Sequence, residues 1–114
     1  MSKHFKDKEF ACKCGQCKQP QVNPHLRAVL ELIRTKFQSP VSITSAYRCP
    51  EHNAKEGGSP KSKHMANMAA DVQVKDVTPI EVYTFLDETF PAIYGIGKYA
   101  TFVHIDVRVD RARW

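Results

Sequence analysis

From Phe102 to Val109 two kinds of residue alternate without a break: Val103, Ile105, Val107 and Val109 fall on one side, and Phe102, His104, Asp106 and Arg108 on the other. A period of two marks a half-buried β-strand, because successive side chains leave opposite faces of a sheet. The valine and isoleucine face must lie against a hydrophobic layer. The opposite face aligns an imidazole, a carboxylate and a guanidinium, with His104 and Asp106 roughly 6 to 7 Å apart along the strand at about 3.3 Å per residue.

The rest of the chain supplies partners for such a strand. Val41-Ser42-Ile43-Thr44-Ser45 alternates, as does Ala69 to Lys75, where Ala70, Val72 and Val74 point one way and Asp71, Gln73 and Lys75 the other. Tyr94-Gly-Ile-Gly-Lys-Tyr99 reads as a short, glycine-loosened strand that turns at Ala100-Thr101 into the last one. Two helices are expected. Asn23 caps the first, with Pro24 at its first position and Leu26, Val29, Leu30, Ile33 and Phe37 at helical spacing to about Gln38. Thr78-Pro79-Ile80-Glu81 opens the second with a capping box; it places Ile80, Tyr83, Leu86 and Phe90 on one side and ends before Pro91. Between Cys49 and Lys63 the chain is polar and rich in Gly, Pro, Asn and Ser, so a long loop is expected there, of the kind that is commonly functional. The sum is an α+β fold, a mainly antiparallel sheet with helices on one face and polar chemistry on the other.

At 114 residues, 42% of them hydrophobic and 25% charged, the chain has room for one core, so residues 1–114 are read as one domain with a cysteine-containing N-terminal segment over 1–22. A monomer is expected. Seventeen Lys and Arg against twelve Asp and Glu give a net charge of +5, which suits an anionic partner. Arg108, Arg111 and Arg113 cluster near the C-terminus, but no groove-reading helix or interleaved aromatic and basic platform is present, so specific nucleic-acid binding is not expected. No run reaches the length of a membrane span. The first ten residues lack the apolar stretch of a signal peptide, which predicts synthesis in the cytoplasm without a leader. In that reducing compartment Cys12, Cys14, Cys17 and Cys49 are not expected to form structural disulfides. They are read as reduced or opportunistically oxidised thiols, or as the ligands of a second, structural zinc, although their C-x-C-x2-C spacing is not that of a common zinc finger.

Most histidines in a chain are ordinary surface or core residues, and His4 and His25 are read so. His64 and His104 differ, because each is linked to a strand whose polar face also carries an acid. Two imidazoles and the Asp71 carboxylate are three ligands of the types a catalytic zinc uses, which leaves a fourth position for water. His64, Asp71 and His104 are therefore the candidate metal ligands.

The order of short motifs along the chain adds a resemblance. Ser45-Ala-Tyr-Arg48-Cys-Pro-Glu-His-Asn53, Gly57-Gly58-Ser-Pro-Lys-Ser62-Lys-His64, Ala69-Ala70-Asp71, Gly95-Ile-Gly97 and Phe102-Val-His104-Ile-Asp106-Val-Arg108, with Phe10-Ala-Cys12-Lys-Cys14-Gly at the front, resemble the zinc D-Ala-D-Ala carboxypeptidases. Small members of that family are common as phage endolysins, and its fold is shared with the hedgehog signalling domain. The resemblance implies a hedgehog/DD-peptidase-like fold and a zinc peptidase that cleaves peptidoglycan peptides next to D-amino acids, as a carboxypeptidase or an endopeptidase. It places one catalytic zinc on His64, Asp71 and His104, the same three residues. It also implies action on the bacterial cell wall after lysis, phage-assisted release or virion carriage.

Other roles follow from matched positions. Arg48 corresponds to an arginine that faces the substrate carboxylate or the polarised carbonyl, with Tyr47 and Ser62 as further substrate-binding residues. The family's proton acceptor lies just before the third ligand, where this chain has Thr101-Phe102-Val103; Asp106 is expected to take that role, with His52 in reserve and ligand orientation as the other role open to Asp106. Asn67 stands where the family has glycine, and asparagine tolerates the left-handed backbone this implies. The alternative function is a non-catalytic zinc-binding module of the same fold, used for binding or assembly.

Overall fold

The computed structural model describes residues 4–12, 21–55, 57, 62–64 and 66–114, the side chains of Asp7, Pro50 and His52 excepted. A 3-10 turn at Asp7–Phe10 precedes α1 (Pro24–Phe37), β1 (Val41–Ser45), α2 (Pro50–Lys55), β2 (Ala69–Val74), α3 (Pro79–Thr89), β3 (Gly95–Lys98), β4 (Val103–Asp106) and β5 (Ala112–Arg113). The strands form one sheet in the order β1-β2-β4-β3-β5. Its first three pairings are antiparallel, and β5 joins β3 in parallel. The fold is thus α+β with a mainly antiparallel sheet, as the strand patterns predict.

Local chemistry sets the helix boundaries. Asn23 Oδ1 accepts from the backbone N–H groups of His25 and Leu26, Pro24 needs no partner at the first position, and Gln38 closes α1 in the left-handed region at φ 51°. Thr78 and Glu81 form the expected reciprocal capping box on α3. Leu26, Val29, Leu30 and Ile33 of α1 and Val82 and Leu86 of α3 meet Val72, Val74, Ile96, Val103 and Ile105 of the sheet in one core. Its burial supplies most of the favourable free energy of such a fold, at about 25 cal/mol per Å² of apolar surface. Among the described residues no helix is long and apolar enough to cross a membrane.

Four features differ from the sequence expectation. The loop after Cys49 contains α2, a helix too short for an apolar period to reveal, which opens on Pro50 and has Glu51 in its first turn. The buried side of α3 is centred on Val82 and Leu86, while Ile80 is half exposed. The last long alternation ends early: β4 stops at Asp106, Val107 continues only by donating to the Met68 carbonyl, and Val109 is 82% exposed. The chain instead reverses to lay β5 on the far edge of β3.

The C-terminal arginines are part of this reversal. Arg113 donates to Asp87 and to the carbonyls of Phe90, Ile93 and Tyr94, fastening β5 to the end of α3. Arg111 donates to the Pro91 carbonyl, and Arg108 is paired with Asp106. Part of the chain's positive charge is therefore spent inside the fold. His4 and His25 lie at the surface as expected, His4 paired with Glu31 at 2.6 Å.

Candidate metal centre

Sheet register places two of the three candidate ligands. β2 and β4 pair so that Asp71 lies opposite His104, Val72 opposite Val103 and Ala70 opposite Ile105. The apolar pairs face the core, so Asp71 and His104 must share the other face. Asp71 Oδ1 stands 3.1 Å from His104 Nδ1.

His64 arrives from the turn before β2. Its backbone N–H is held by Ser62 Oγ at 3.1 Å, and its carbonyl accepts from the N–H groups of Arg48 and Asn67. Asn67 takes the left-handed conformation expected of it, at φ 58°, and its side chain donates to the Gln21 carbonyl. The imidazole is 2% exposed, with Nδ1 2.6 Å from the Ala46 carbonyl. A carbonyl only accepts, so Nδ1 carries a proton and Nε2 is the nitrogen turned towards Asp71. That Nε2 lies 3.4 Å from Asp71 Oδ2.

A ring nitrogen of His64, a carboxylate oxygen of Asp71 and a ring nitrogen of His104 lie within 4.8 Å of one another, the one such cluster of metal-ligand type among the described residues. Ligands at about 2.0–2.2 Å from a tetrahedral zinc stand roughly 3.3–3.6 Å apart, close to the 3.4 Å and 3.1 Å that separate His64 and His104 from the Asp71 oxygens. The donor set fits zinc in kind as well as in spacing. Each histidine has its remote nitrogen held by an oxygen acceptor, Ala46 O for His64 and Asp106 for His104, which fixes the ring and leaves the inner nitrogen as the candidate ligand atom.

Electrostatics follow from the same contacts. Burial pushes the Asp71 carboxyl up, but the hydrogen bonds and charges of His104 and His64 outweigh it and hold it at about 2. Burial disfavours the charged form of His104, yet its bonds to Asp106 and Asp71 raise it above the ordinary histidine value. Both His104 nitrogens face carboxylates, so a metal held at Nδ1 would take the place of a proton there.

Asp106, the residue expected to accept the proton, is closely engaged by its neighbours. It is fully buried; Oδ2 lies 2.8 Å from His104 Nε2, and Arg108 donates to both its oxygens at 2.7 Å and through its backbone N–H at 3.2 Å. Burial alone would raise this carboxyl, but His104 and Arg108 hold it well below the usual range. Two features of this setting favour the other role open to Asp106, orientation of a ligand histidine. Its lone pairs are taken, and it touches the edge of His104 that faces away from Asp71.

Arg48 adjoins the cluster through its backbone bond to His64, and its Nε is buried without a hydrogen-bond partner among the described residues. Tyr47 is half-buried, its N–H donating to the Phe10 carbonyl. The His52 side chain lies outside the described residues, as do Cys14 and Cys17. Cys12 and Cys49 are both buried, with Cys12 Sγ 3.4 Å from the Cys49 N–H nitrogen, so two of the four cysteines meet and a four-cysteine zinc site is not supported.

Sequence reasoning missed Trp114. Its ring packs on His104 with centroids 5.1 Å apart, and the only hint was a lone tryptophan close behind a strand of polar ligands.

The sequence profile of the family described as Peptidase M15 matches residues 3–106. No curated protein matches the chain. The profile runs through all three candidate ligands and ends at Asp106, before β5. With the α+β sheet and the His, Asp, His cluster in place, the match settles the family: the chain belongs to Peptidase M15, the zinc D-Ala-D-Ala carboxypeptidase family, and is a zinc peptidase.

Proposed function

We propose that the chain hydrolyses peptide bonds next to D-amino acids in bacterial peptidoglycan, with one zinc held by Nε2 of His64, a carboxylate oxygen of Asp71 and Nδ1 of His104. The observation that carries this reading is the convergence of those three atoms, with both outer ring nitrogens held by oxygen acceptors. Zinc bound there supplies a Lewis acid and a bound water whose pKa is lowered towards neutrality.

The chain's own groups divide the remaining work. Arg48 is assigned the substrate carboxylate or the charge that develops on the scissile carbonyl; an always-charged planar fork suits both, and a buried Nε without a described partner is consistent with an awaited anion. Ser62 and Tyr47 flank Arg48 and His64 as substrate contacts. Asp106 is assigned to hold His104 in its ligand tautomer. The proton acceptor then falls to His52, on α2, four residues past Arg48. The net charge of +5 favours anionic wall polymers. The wall would be reached after lysis, by phage-assisted release or by virion carriage.

The engagement of Asp106 by Arg108 favours a second reading, a zinc-binding module of the same fold without hydrolytic activity. Incubating the purified protein with peptidoglycan, with and without chelator and with zinc restored, separates the two. New amino groups or free D-alanine that vanish with chelator and return with zinc are expected. Absence of any chelator-sensitive product across several wall types would leave the binding module. Mass spectrometry of the products distinguishes carboxypeptidase from endopeptidase cleavage.

A further inference from the structure

The row of the sheet that holds Asp71 and His104 extends further than the metal cluster. His104 pairs with Gly97 on β3. Beyond it, β5 pairs in parallel with β3, Trp114 N–H donates to the Ile96 carbonyl, and Lys98 N–H donates to the Trp114 carbonyl. Trp114 therefore sits beside Gly97, and one face of the sheet reads Asp71, His104, Gly97, Trp114 across four neighbouring segments.

Gly97 has no room for a side chain. A Cβ there would overlap Nε1 and Cε2 of the Trp114 indole, so the ring lies where the β3 side chain would stand. By crossing that gap the indole reaches His104. Gly95 repeats the arrangement one row along, since a Cβ there would lie 2.5 Å from Asp106 Oδ2 and 2.6 Å from Arg108 Nε. The Gly-Ile-Gly segment leaves a trough on the polar face, filled by the Asp106–Arg108 pair and by Trp114.

Trp114 is joined to His104 twice. One link is the ring contact at 5.1 Å. The other runs through Arg108, whose guanidinium lies 5.4 Å from the Trp114 ring and grips Asp106, which in turn holds His104 Nε2. A hydrogen bond from Nε1 to Tyr99 Oη at 2.8 Å fixes the far side of the indole. Trp114 takes no part in the hydrophobic core and is 46% exposed, so core packing does not account for this placement.

We propose that Trp114 is a positioning residue for the metal ligand His104: entering from the β3 side, opposite Asp71, it fixes the imidazole plane and shields the His104–Asp106 hydrogen bond from water. This rests on the metal reading of His64, Asp71 and His104. Outer groups that hold a ligand histidine typically contribute about 10–100-fold to metal affinity, and Trp114 falls at the lower end because it acts by packing.

The test is a zinc titration of the purified protein against a chromogenic chelator, paired with intrinsic fluorescence, for which Trp114 is the sole tryptophan. Wild type is expected to bind one zinc, with a change in indole emission at the same midpoint. Trp114→Ala is expected to bind zinc roughly tenfold more weakly. Trp114→Phe restores most of the affinity, and Gly97→Leu, which displaces the indole without altering it, reproduces the loss. Thermal melting of the metal-free Trp114→Phe and Gly97→Leu proteins separates ligand positioning from folding. Zinc binding by Trp114→Ala within twofold of wild type, or wild-type emission indifferent to bound zinc, overturns the positioning role and leaves the metal site standing. Failure of wild type to bind zinc at all overturns both.

Discussion

Two carboxylates flank one imidazole, and their surroundings assign them different work. Asp71 is partly exposed and lies between two histidines, His64 at 3.4 Å and His104 at 3.1 Å, with no arginine paired to it among the described residues. Asp106 has no exposure and is held by Arg108 on both oxygens while it touches the opposite nitrogen of His104. An acid facing only rings that can give up a proton can trade that proton for a metal. One clamped by a permanent cation stays an acceptor whatever happens next to it. The same residue type, one row apart on one sheet face, is a candidate ligand in one place and a brace in the other.

Removing each acid should separate these roles most sharply. Asp71→Ala is expected to lower zinc affinity by about a hundredfold or more, on the scale of roughly 10–16 kcal/mol shared among four ligands, and to abolish chelator-sensitive hydrolysis. Metal content after dialysis measures it, and stoichiometric zinc would remove Asp71 from the ligand set. Asp106→Asn should act less on the metal and more on the fold. It is expected to weaken zinc about 10–100-fold and to destabilise the metal-free protein by about 2–4 kcal/mol, because Arg108 loses its buried counter-charge. Undiminished zinc affinity with hydrolysis lost would instead return Asp106 to the role of base.

Smaller changes probe the supports. Gly95→Ala places a methyl against Asp106 and Arg108 and is expected to cost about 1–3 kcal/mol, visible as a lower melting temperature. A melting temperature equal to wild type would show that the trough can relax. Arg48→Lys keeps the charge but loses the fork; zinc affinity should be unchanged and kcat/KM reduced roughly tenfold, and unaltered kinetics would dismiss Arg48 as a substrate contact. Asn67→Gly relieves a left-handed asparagine but loses its bond to Gln21, so stability should move by no more than about 0.5 kcal/mol in a denaturant melt.

Much of this centre was legible in the sequence, and its limits have physical causes. Alternation over Ala69–Val74 and around Val103–Asp106 put Asp71 and His104 on polar faces, and register then made them neighbours. His64, in a turn, has no periodicity of its own to place it; its closeness to the strand that carries Asp71 suggested it, and its place in an ordered set of motifs agreed. Alternation also says which face a carboxylate occupies but not which neighbour it bonds, so Asp106 looked as available as Asp71 until Arg108 was seen folding back upon it. Two-residue β5 and six-residue α2 are shorter than the windows in which a period can be recognised. The C-terminal arginines read as a basic cluster because their partners, carbonyls at the end of α3, are invisible to composition.

β5 has a further consequence, for how the molecule meets copies of itself. Without it, β3 would be an outer strand of glycine and isoleucine, with unpaired amides and little side-chain bulk to keep another chain away. Such an edge is a template for intermolecular pairing. Ala112 donates to the Tyr94 carbonyl, and Trp114 donates to the Ile96 carbonyl and accepts from the Lys98 N–H, so that edge is taken up, and the two-residue β5 that replaces it is a poor template for another strand. At the other edge of the sheet, β1 carries exposed Ser42 and Thr44. The segment that brings an indole to His104 thus also covers an edge on which another chain could otherwise pair.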